Sequence, residues 1–479
     1  MSQNLQQPAN SSNQAIESGS PNSTQHLPIP GKKVAPSAPP SAVPGETQKL
    51  ITSEVKVEHL PAQIFNDHSK QKGAPLPYNL HRKIDLIRTS IGKGYAALQE
   101  NGKRVALGIP SKKLNAILSE LARCEGRSLR KAELEDLNNA LSEYADQYGE
   151  VVDVWLRVAP IEGGIEIDLG DDAHTRIRIT AGKVEMPSTS DTVFYRTANT
   201  KAMVMPADQG NHRLLEKYLN VDVTERVLLL AWITYTLAHP KVPSSKYPIL
   251  VLQGNEGSGK TSLCKNIILS IIDPSAIGVQ VFPQNAKDLA IASQNAHVLC
   301  YDNLRGFRAN MADMLCIAAT GGTITTRQLY TDSDQQAIPL HAALVLNGIH
   351  SFIDTPDLAQ RCLPIHLIAL DKAKRKSEVE LTQELETELP AIMRGLFDLI
   401  ASIFKCLPDA EITNPERMID FVKWLAAMEM VNNVPFGTYQ ALYSATLQQG
   451  QLDTLMDNSL AAALIDFADK HIDESWSGS

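Results

Sequence analysis

The amino-acid sequence predicts an α/β protein. An α/β core is expected to follow a helical N-terminal region and a small β-rich subdomain, and to precede an all-helical C-terminal domain. Three patterns support this. An apolar run of strand length at 247–253 leads into a glycine-rich loop and an apolar helix. Apolar and polar residues alternate through much of 150–205, and amphipathic helical periodicity recurs in 375–479.

The N-terminal part has a composition unlike the rest of the chain. Residues 1–60 are rich in Ser, Gln, Asn and Pro, so we predict a disordered tail, with a tether or partner-binding segment as the alternative. Residues 78–147 are expected to be helical because Ile84, Ile87 and Ile91 recur at helical spacing. The predicted regions are a tail at 1–60, a helical region at 61–149, a β subdomain with linker helices at 150–240, a core at 241–372 and helices at 373–479.

The predicted helical region is locally basic. Between Arg82 and Lys131 there are twelve Lys or Arg and four Asp or Glu residues, which gives a local charge of +8. This segment is a candidate DNA surface, with Lys112 and Lys113 as contacts. A solvated helical face, offset by the acidic residues at 133–153, is the equally weighted alternative. The net charge of −9 excludes a generally basic nucleic-acid coat.

Cysteine usage and hydropathy indicate the compartment. The six cysteines are scattered and include no C-x-x-C pair, which argues against a zinc site or a disulfide framework. The longest apolar stretch, 227–238, is too short to span a bilayer, and no secretory signal is visible. We therefore expect a soluble, cytoplasmic protein.

The strongest motif is the loop after the 247–253 run, which has the pattern G-x-x-x-x-G-K-T between a strand and a helix. Its glycines let backbone N–H groups surround phosphates, and the helix that follows adds its positive dipole end. We predict that Lys260 reaches the β- and γ-phosphates and that the Thr261 hydroxyl is a Mg²⁺ ligand. The predicted nucleotide-binding residues are Gly254, Asn255, Glu256, Gly257, Ser258, Gly259, Lys260, Thr261 and Ser262.

A second apolar run, AHVLCYDN at 296–303, ends in an acidic residue. We expect Asp302 to lie at the end of a strand neighbouring the loop strand and to hold the Mg²⁺ shell through water; a turn aspartate is the alternative. The next residue is Asn303, which cannot accept a proton. Another acid must then be the base, with Glu256 a weak candidate, or hydrolysis is slow and depends on positioning of the water.

Two later residues are candidates for sensing or completing a nucleotide site. Asn347 ends a buried strand about 45 residues after Asp302 and is predicted to hydrogen-bond the attacking water or the phosphate, rather than only to form a turn. Arg361 follows a short helix and precedes an apolar strand. In a ring it can project into the site of a neighbouring subunit; the alternative is a surface ion pair.

Residues 319–339 predict a β-hairpin whose turn is at Asp332-Ser333-Asp334. Arg327 is a candidate for contacting DNA phosphates from a pore. An ordinary sheet hairpin is nearly as well supported.

Together these residues resemble the ATPase domain of superfamily 3 helicases and of virus- and plasmid-type primase-helicases, an AAA+-like group. The likeness is closer to a set of bacterial phage- or plasmid-associated ATP-binding proteins, and it covers roughly 150–479. The shared segments are Asp302-Asn303-Leu304, Ala319 to Gly322, Arg327 to Asp332, Leu346 to Ile349, and Asp357 to Arg361.

The resemblance implies ATP and Mg²⁺ as cofactors, a hexameric ring with ATP sites between subunits, and DNA in a central channel. It implies a catalytic set of Lys260, Asp302, Asn303, Asn347 and Arg361. No primase-like cluster occurs in 60–150, so primase activity is not implied. Members of that set continue past a W-x-G segment, whereas this chain stops at Ser479, so a shorter member and a trimmed chain both remain open.

Two functions follow from these patterns. One is a ring-forming, ATP-dependent DNA translocase or helicase of mobile-element replication. The alternative is a nucleotide-gated oligomeric assembly or regulatory ATPase with slow hydrolysis and no unwinding, which Asn303 favours. A small-molecule kinase would need neither Arg361 nor the long hairpin and is the least supported.

Overall fold

The structure is a computed structural model. It describes residues 84–456 except 125, 127, 328–334, 349–351, 354 and 370–376, together with 463, 464 and 467. Contacts divide the chain into two units, Met1–Ser53 and Glu54–Ser479, and every described residue belongs to the second. The tail predicted at 1–60 lies outside the described residues. Among the residues that are described, no helix is both long and apolar enough to cross a membrane.

The first described region begins with a sheet, which corrects the prediction of a wholly helical region. Strands β1 to β3 and helices α1 and α2 are Asp85–Arg88, Gly94–Glu100, Lys103–Gly108, Lys112–Cys124 and Lys131–Tyr148. The helical prediction is therefore wrong before Lys112 and confirmed for α1 and α2. Four consecutive residues of β2 are buried, and an apolar run buried on both faces does not show the period of a strand.

The turn between β2 and β3 explains why this segment folds as a hairpin. Asn101 and Gly102 have φ angles of 50° and 73°, and the residues on either side, Glu100 and Lys103, pair across the strands. Two-residue turns of this kind need positive φ at both positions, which an Asn-Gly pair tolerates.

The alternating segment forms short strands, as predicted. Strands β4 to β10 are Glu150–Val151, Val154–Trp155, Val158–Ile161, Gly164–Asp168, Arg176–Thr180, Lys183–Glu185 and Ser190–Tyr195. Four of them form an antiparallel sheet in the order β6-β7-β8-β9. The others extend the first sheet, whose order is β4-β1-β2-β3-β10-β5.

Two helical segments lead into the core. A 3-10 helix spans His212–Tyr218, and helix α3 spans Val223–Ala238. Asp222 caps α3, because its carboxylate accepts a hydrogen bond from the backbone N–H of Thr224 at 3.0 Å. All residues of α3 from Leu228 onward are buried, so this helix lies inside the fold.

The core is a parallel sheet with a hairpin beside it. In chain order the elements are β11 Ile249–Gln253; α4, in the pieces Lys260–Ser262, Leu263–Ile268 (π-helical) and Leu269–Ile272; α5 Ala286–Ser293; β12 Val298–Leu304; α6 Ala309–Thr320; β13 Gly322–Arg327; β14 Gln335–Leu340; β15 Ala343–Gly348; α7 Pro356–Ala359; and β16 Cys362–His366. The sheet order is β12-β15-β11-β16, and all neighbours are parallel.

The position of β12 corrects one expectation. The strand that carries Asp302 does not neighbour the loop strand β11, because β15 lies between them. Both β12 and β15 are apolar, mostly buried strands, so their burial pattern carries no information about which one pairs with β11. The two strands of the predicted hairpin are confirmed as β13 and β14, which pair antiparallel from Gly322 to Arg327, and its predicted turn at Asp332-Ser333-Asp334 lies outside the described residues.

The described part of 373–479 is helical, as predicted. Helices α8, α9 and α10 are Glu378–Cys406, Ile419–Asn432 and Thr438–Met456. Ser377 and Glu380 form a capping box at the start of α8. Buried residues of α8 and α9 belong to the same apolar cluster as α3, α4 and the core strands, so the C-terminal helices pack directly on the core.

Candidate functional site

The glycine-rich loop joins β11 to α4 and depends on backbone geometry that only glycine adopts readily. Gly254, Gly257 and Gly259 have φ angles of 145°, 74° and 90°. A Cβ atom on Gly254 would lie 2.9 Å from both the Leu367 carbonyl oxygen and the Ser258 Oγ. The loop therefore has no room for a side chain at its first position.

Lys260 is the first residue of α4, and its side chain returns over the loop. Its Nζ donates hydrogen bonds to the carbonyl oxygens of Gly254 at 2.6 Å and Asn255 at 3.1 Å. Burial lowers the pKa of this ammonium, and nearby Asp302 opposes the shift. The Ser258 Oγ is buried without a hydrogen-bond partner in the described structure. The loop thus holds a cation and an unused hydroxyl.

The two predicted metal ligands are brought together. Thr261 lies one residue after Lys260, and its Oγ1 donates a hydrogen bond to Asp302 Oδ2 at 2.7 Å. The other carboxylate oxygen, Oδ1, accepts the backbone N–H of Asn303 at 2.7 Å. A hydroxyl and a carboxylate oxygen at this separation are oxygen ligands of the kind that Mg²⁺ prefers.

A β-bulge gives Asp302 its position. Tyr301 pairs with Leu346 and Leu304 with Gly348, so β12 has one more residue than β15 across this interval. Asn303 lies in the bulge and has a φ of 60°, a left-handed conformation that asparagine tolerates better than most residues.

Asn347 lies on β15, between the strand of Asp302 and the strand of the loop. It pairs in register with Leu252, close to the point where β11 leads into the loop. Its side chain is buried at 1% exposure, and neither its Oδ1 nor its Nδ2 has a hydrogen-bond partner among the described residues. Buried amides are normally hydrogen-bonded, so this amide has hydrogen-bonding capacity that the described residues do not use.

A cavity of about 740 Å³ opens beside the Thr261–Asp302 contact. Its lining includes Lys201, Thr261, Lys265, Gln280, Asp302 and Asn303. The Asn303 side chain is exposed, and so is Glu256 in the loop. The cavity gives water and a ligand access to Thr261 and Asp302.

Several residues that support the loop were not predicted from the sequence. Asn220 Nδ2 donates to the Ser258 carbonyl oxygen at 3.0 Å and also contacts the Ile368 carbonyl oxygen. Glu225 accepts the backbone N–H of His366 at 2.9 Å, and its other oxygen lies 2.9 Å from the His366 Nδ1. Asn220 lies 38 residues from Ser258 and 148 from Ile368, and Glu225 lies 141 residues from His366, so no local motif could have indicated these contacts.

Comparison with known proteins identifies the family. Residues 213–453, just over half of the chain, match the family described as actinomycete integrative conjugative element replication protein. The chain belongs to this family. No curated protein matches the chain significantly.

Solved structures resemble this replication protein only weakly. The apo C-terminal region of NrS-1 is 13% identical, with a TM-score of 0.38, over 86% of this chain and 83% of that chain. JCV helicase is also 13% identical, with a TM-score of 0.25, over 47% of this chain and 61% of that chain. Similarities this weak carry no argument about fold or function.

Arg361 of the replication protein lies far from its own loop. Its carbonyl oxygen accepts the N–H of Ile249, the first residue of β11, whereas the loop follows the last residue of β11. Five strand residues separate the two sites, which is roughly 15 Å. The Arg361 guanidinium is ion-paired with Asp357 at 2.5 Å and is 11% exposed.

The predicted DNA contacts lie on two other elements. Arg327 is the last residue of β13 and pairs with Gln335; its side chain and 328–334 lie outside the described structure. Lys112 and Lys113 begin α1, and Lys113 pairs with Glu100 at 3.2 Å. Further ion pairs within the basic segment or to residues near it are Arg104–Glu150, Arg123–Glu120 and Arg130–Glu133. These pairs offset part of the predicted basic surface.

Proposed function

We propose that this replication protein is a ring-forming, ATP-dependent DNA translocase or helicase that acts in replication of the conjugative element. The observation that carries the proposal is the Thr261–Asp302 contact beside Lys260, at the edge of the parallel sheet where its strands end. Family membership supports a role in replication. The predicted ATPase core at 241–372 and the predicted cytoplasmic location are part of the same proposal.

Several features fit ATP with Mg²⁺. Gly254 leaves no room for a Cβ at the loop, and the Ser258 hydroxyl and the Asn347 amide are buried polar groups without partners. Within the described ranges there is no group of three or more His, Cys, Asp or Glu side chains able to hold a metal ion. This suits Mg²⁺, which often takes only one or two protein ligands and completes its shell with phosphates and water.

Each residue then has a defined task. Loop N–H groups and Lys260 bind the β- and γ-phosphates, while Thr261 and Asp302 would hold Mg²⁺, and the ion would neutralise phosphate charge. Asn347 hydrogen-bonds the attacking water or the γ-phosphate. The water oxygen bonds to the γ-phosphorus as the bond to the bridging oxygen breaks, and the electron pair leaves on the diphosphate. The water protons end on inorganic phosphate and in solvent.

Asn303 favours a second function. It follows Asp302 directly and cannot accept a proton, so turnover depends on positioning and charge rather than on a base at this point. A nucleotide-gated oligomeric assembly with slow hydrolysis and no unwinding would need no more than this. In that case ATP binding alone would drive assembly.

The DNA-binding part of the proposal rests on the β13–β14 hairpin, which places Arg327 at the end of β13, and on the start of α1 with Lys112 and Lys113. In a ring, hairpins from all subunits would face a common channel. Phosphate contacts of this kind do not depend on base sequence.

Hydrolysis of ATP by the purified protein, with and without single-stranded DNA at one fixed salt concentration, separates the two functions. DNA stimulation that Lys260→Ala abolishes supports the translocase. Tight ATP binding with negligible turnover in both conditions supports the assembly function instead. The matched control is Lys241→Ala, which removes a lysine bonded to the Ser293 carbonyl oxygen rather than to the loop.

A further inference from the structure

A single carboxylate holds two arginines together at the edge of the core opposite the loop. Asp357 Oδ2 lies 2.5 Å from the Arg361 guanidinium, and Asp357 Oδ1 lies 2.5 Å from the Arg417 guanidinium. Arg417 also donates to Gln360 Oε1 at 3.1 Å. Arg417 comes from the segment before α9, so the cluster joins the core to the C-terminal helices.

Stability alone does not explain this cluster. The Asp357 side chain is 56% exposed and that of Arg417 is 39% exposed, and exposed ion pairs contribute little to folding. Two guanidiniums and one carboxylate leave a net positive charge. The hydrogen bond from Arg361 lowers the pKa of Asp357 to about 2, so the carboxylate stays ionised throughout the physiological range.

The cluster still has unused hydrogen-bonding capacity. The Arg361 Nε has no partner in the described part of the chain but is buried, so an incoming phosphate first meets the Arg417 guanidinium, which is 39% exposed. Guanidinium groups bind phosphate oxygens through parallel N–H bonds, and two adjacent guanidiniums can neutralise two oxygens of one terminal phosphate. The chemistry of the cluster therefore fits a phosphate ester.

The position of the cluster indicates which molecule carries that phosphate. The cluster lies where β11 and β16 begin, while the loop lies where β11 ends, so this chain's own nucleotide is out of reach. In a head-to-tail assembly, the starting edge of one core can meet the ending edge of the next. In such an assembly, a second copy of this chain would present the phosphate.

We propose that Arg417 is a second arginine of the inter-subunit site, and that Asp357 positions Arg361 and Arg417 together against the terminal phosphate bound by the neighbouring copy. This inference rests on the proposed ATPase function. Arg417 is then a catalytic residue and Asp357 a positioning residue. With Asn303 unable to act as a base, charge neutralisation of this kind carries more of the rate acceleration.

Steady-state hydrolysis by single variants is the first test. Arg417→Ala is expected to lower kcat by about tenfold or more while leaving the Kd for ATP and the Tm nearly unchanged. Asp357→Asn should lower kcat without raising KM, and Asp357→Glu should restore part of the loss. Arg394→Ala is the control, since it breaks an exposed Arg–Asp pair with the same spacing of four residues on α8.

Mixed oligomers test whether Arg417 acts on the neighbouring copy. Lys260→Ala subunits keep Arg417, and Arg417→Ala subunits keep the loop. Random mixing pairs an intact loop with an intact arginine at about one interface in four, so the mixture should exceed both parent proteins. A mixture no more active than its parents, or an Arg417→Ala kcat within twofold of wild type, overturns the inference. If Arg417→Ala does not fold, Arg417→Lys, which keeps charge but loses the paired N–H bonds, must still lower kcat. No hydrolysis by wild type contradicts the proposed function and the inference together.

Discussion

Asn347 lies buried between β11 and β12 with neither of its amide atoms hydrogen-bonded among the described residues. Asn347→Leu replaces the amide with an apolar group that has the same number of side-chain heavy atoms and the same branching. We expect this change to stabilise the nucleotide-free protein and to abolish most hydrolysis. A residue that costs stability but is needed for the reaction would behave in this way.

The magnitude follows from the unpartnered atoms. A buried polar group without a partner costs about 1–3 kcal/mol, and the substitution removes that cost from the folded state. The free energy of unfolding should therefore rise by about 1–3 kcal/mol, or roughly 2 °C in Tm for each kcal/mol. Loss of a hydrogen bond to the reacting groups should lower kcat by about 100-fold.

Urea unfolding without nucleotide, and ATP hydrolysis by the same samples, measure both effects. Gln440→Leu is the control, because the Gln440 amide is equally buried but accepts the Thr413 N–H at 2.8 Å and donates to Glu429 at 3.2 Å. That variant should be destabilised. If Asn347→Leu is destabilised to the same degree, or if it hydrolyses ATP at the wild-type rate, our reasoning about Asn347 is refuted.

Three further predictions concern stability and loop support. Burial lowers the pKa of His239 and His297 to about 4. In the unfolded chain these histidines bind protons near pH 6.5, so the free energy of unfolding falls as the pH drops from 6.5 toward 4. In urea unfolding, the loss between pH 7 and pH 5 should be about 2 kcal/mol per histidine. A flat profile contradicts this. Gly395→Ala places a Cβ 2.1 Å from the backbone nitrogen of His212, the first residue of the 3-10 helix, and should cost about 3 kcal/mol, whereas Gly108→Ala, whose nearest neighbours are 3.6 Å away, should be tolerated. Asn220→Leu removes the hydrogen bond to the loop and should weaken ATP binding about tenfold in a titration; unchanged affinity would show that the loop needs no such support.

The contact between Thr261 and Asp302 could be predicted because both residues follow apolar runs of strand length. Residues at the ends of parallel strands meet at one edge of a sheet, whichever strands carry them. For the same reason the error in strand order, with β15 between β11 and β12, did not misplace the two residues. The loop, the hairpin and the C-terminal helices were also predicted from local pattern alone.

The remaining features depend on contacts that local sequence does not encode. Asn220, Glu225 and Arg417 reach the loop, β16 and Asp357 respectively from distant parts of the chain. The N-terminal sheet is a different case, because the Asn101-Gly102 pair was a readable hairpin signal. The helical spacing of Ile84, Ile87 and Ile91 competes with that pair as a signal, and the four consecutive buried residues of β2 show no alternation that would indicate a strand.

Equilibrium binding of ATP, with and without Mg²⁺, to wild-type protein and to Lys260→Ala tests the central claim most directly, because every proposed activity requires a nucleotide on this loop. We predict saturable binding that Mg²⁺ strengthens, that Asp302→Asn makes insensitive to Mg²⁺, and that Lys260→Ala eliminates. Binding of equal strength to wild type and Lys260→Ala, or no binding to either, would contradict the assignment of this loop as a nucleotide site.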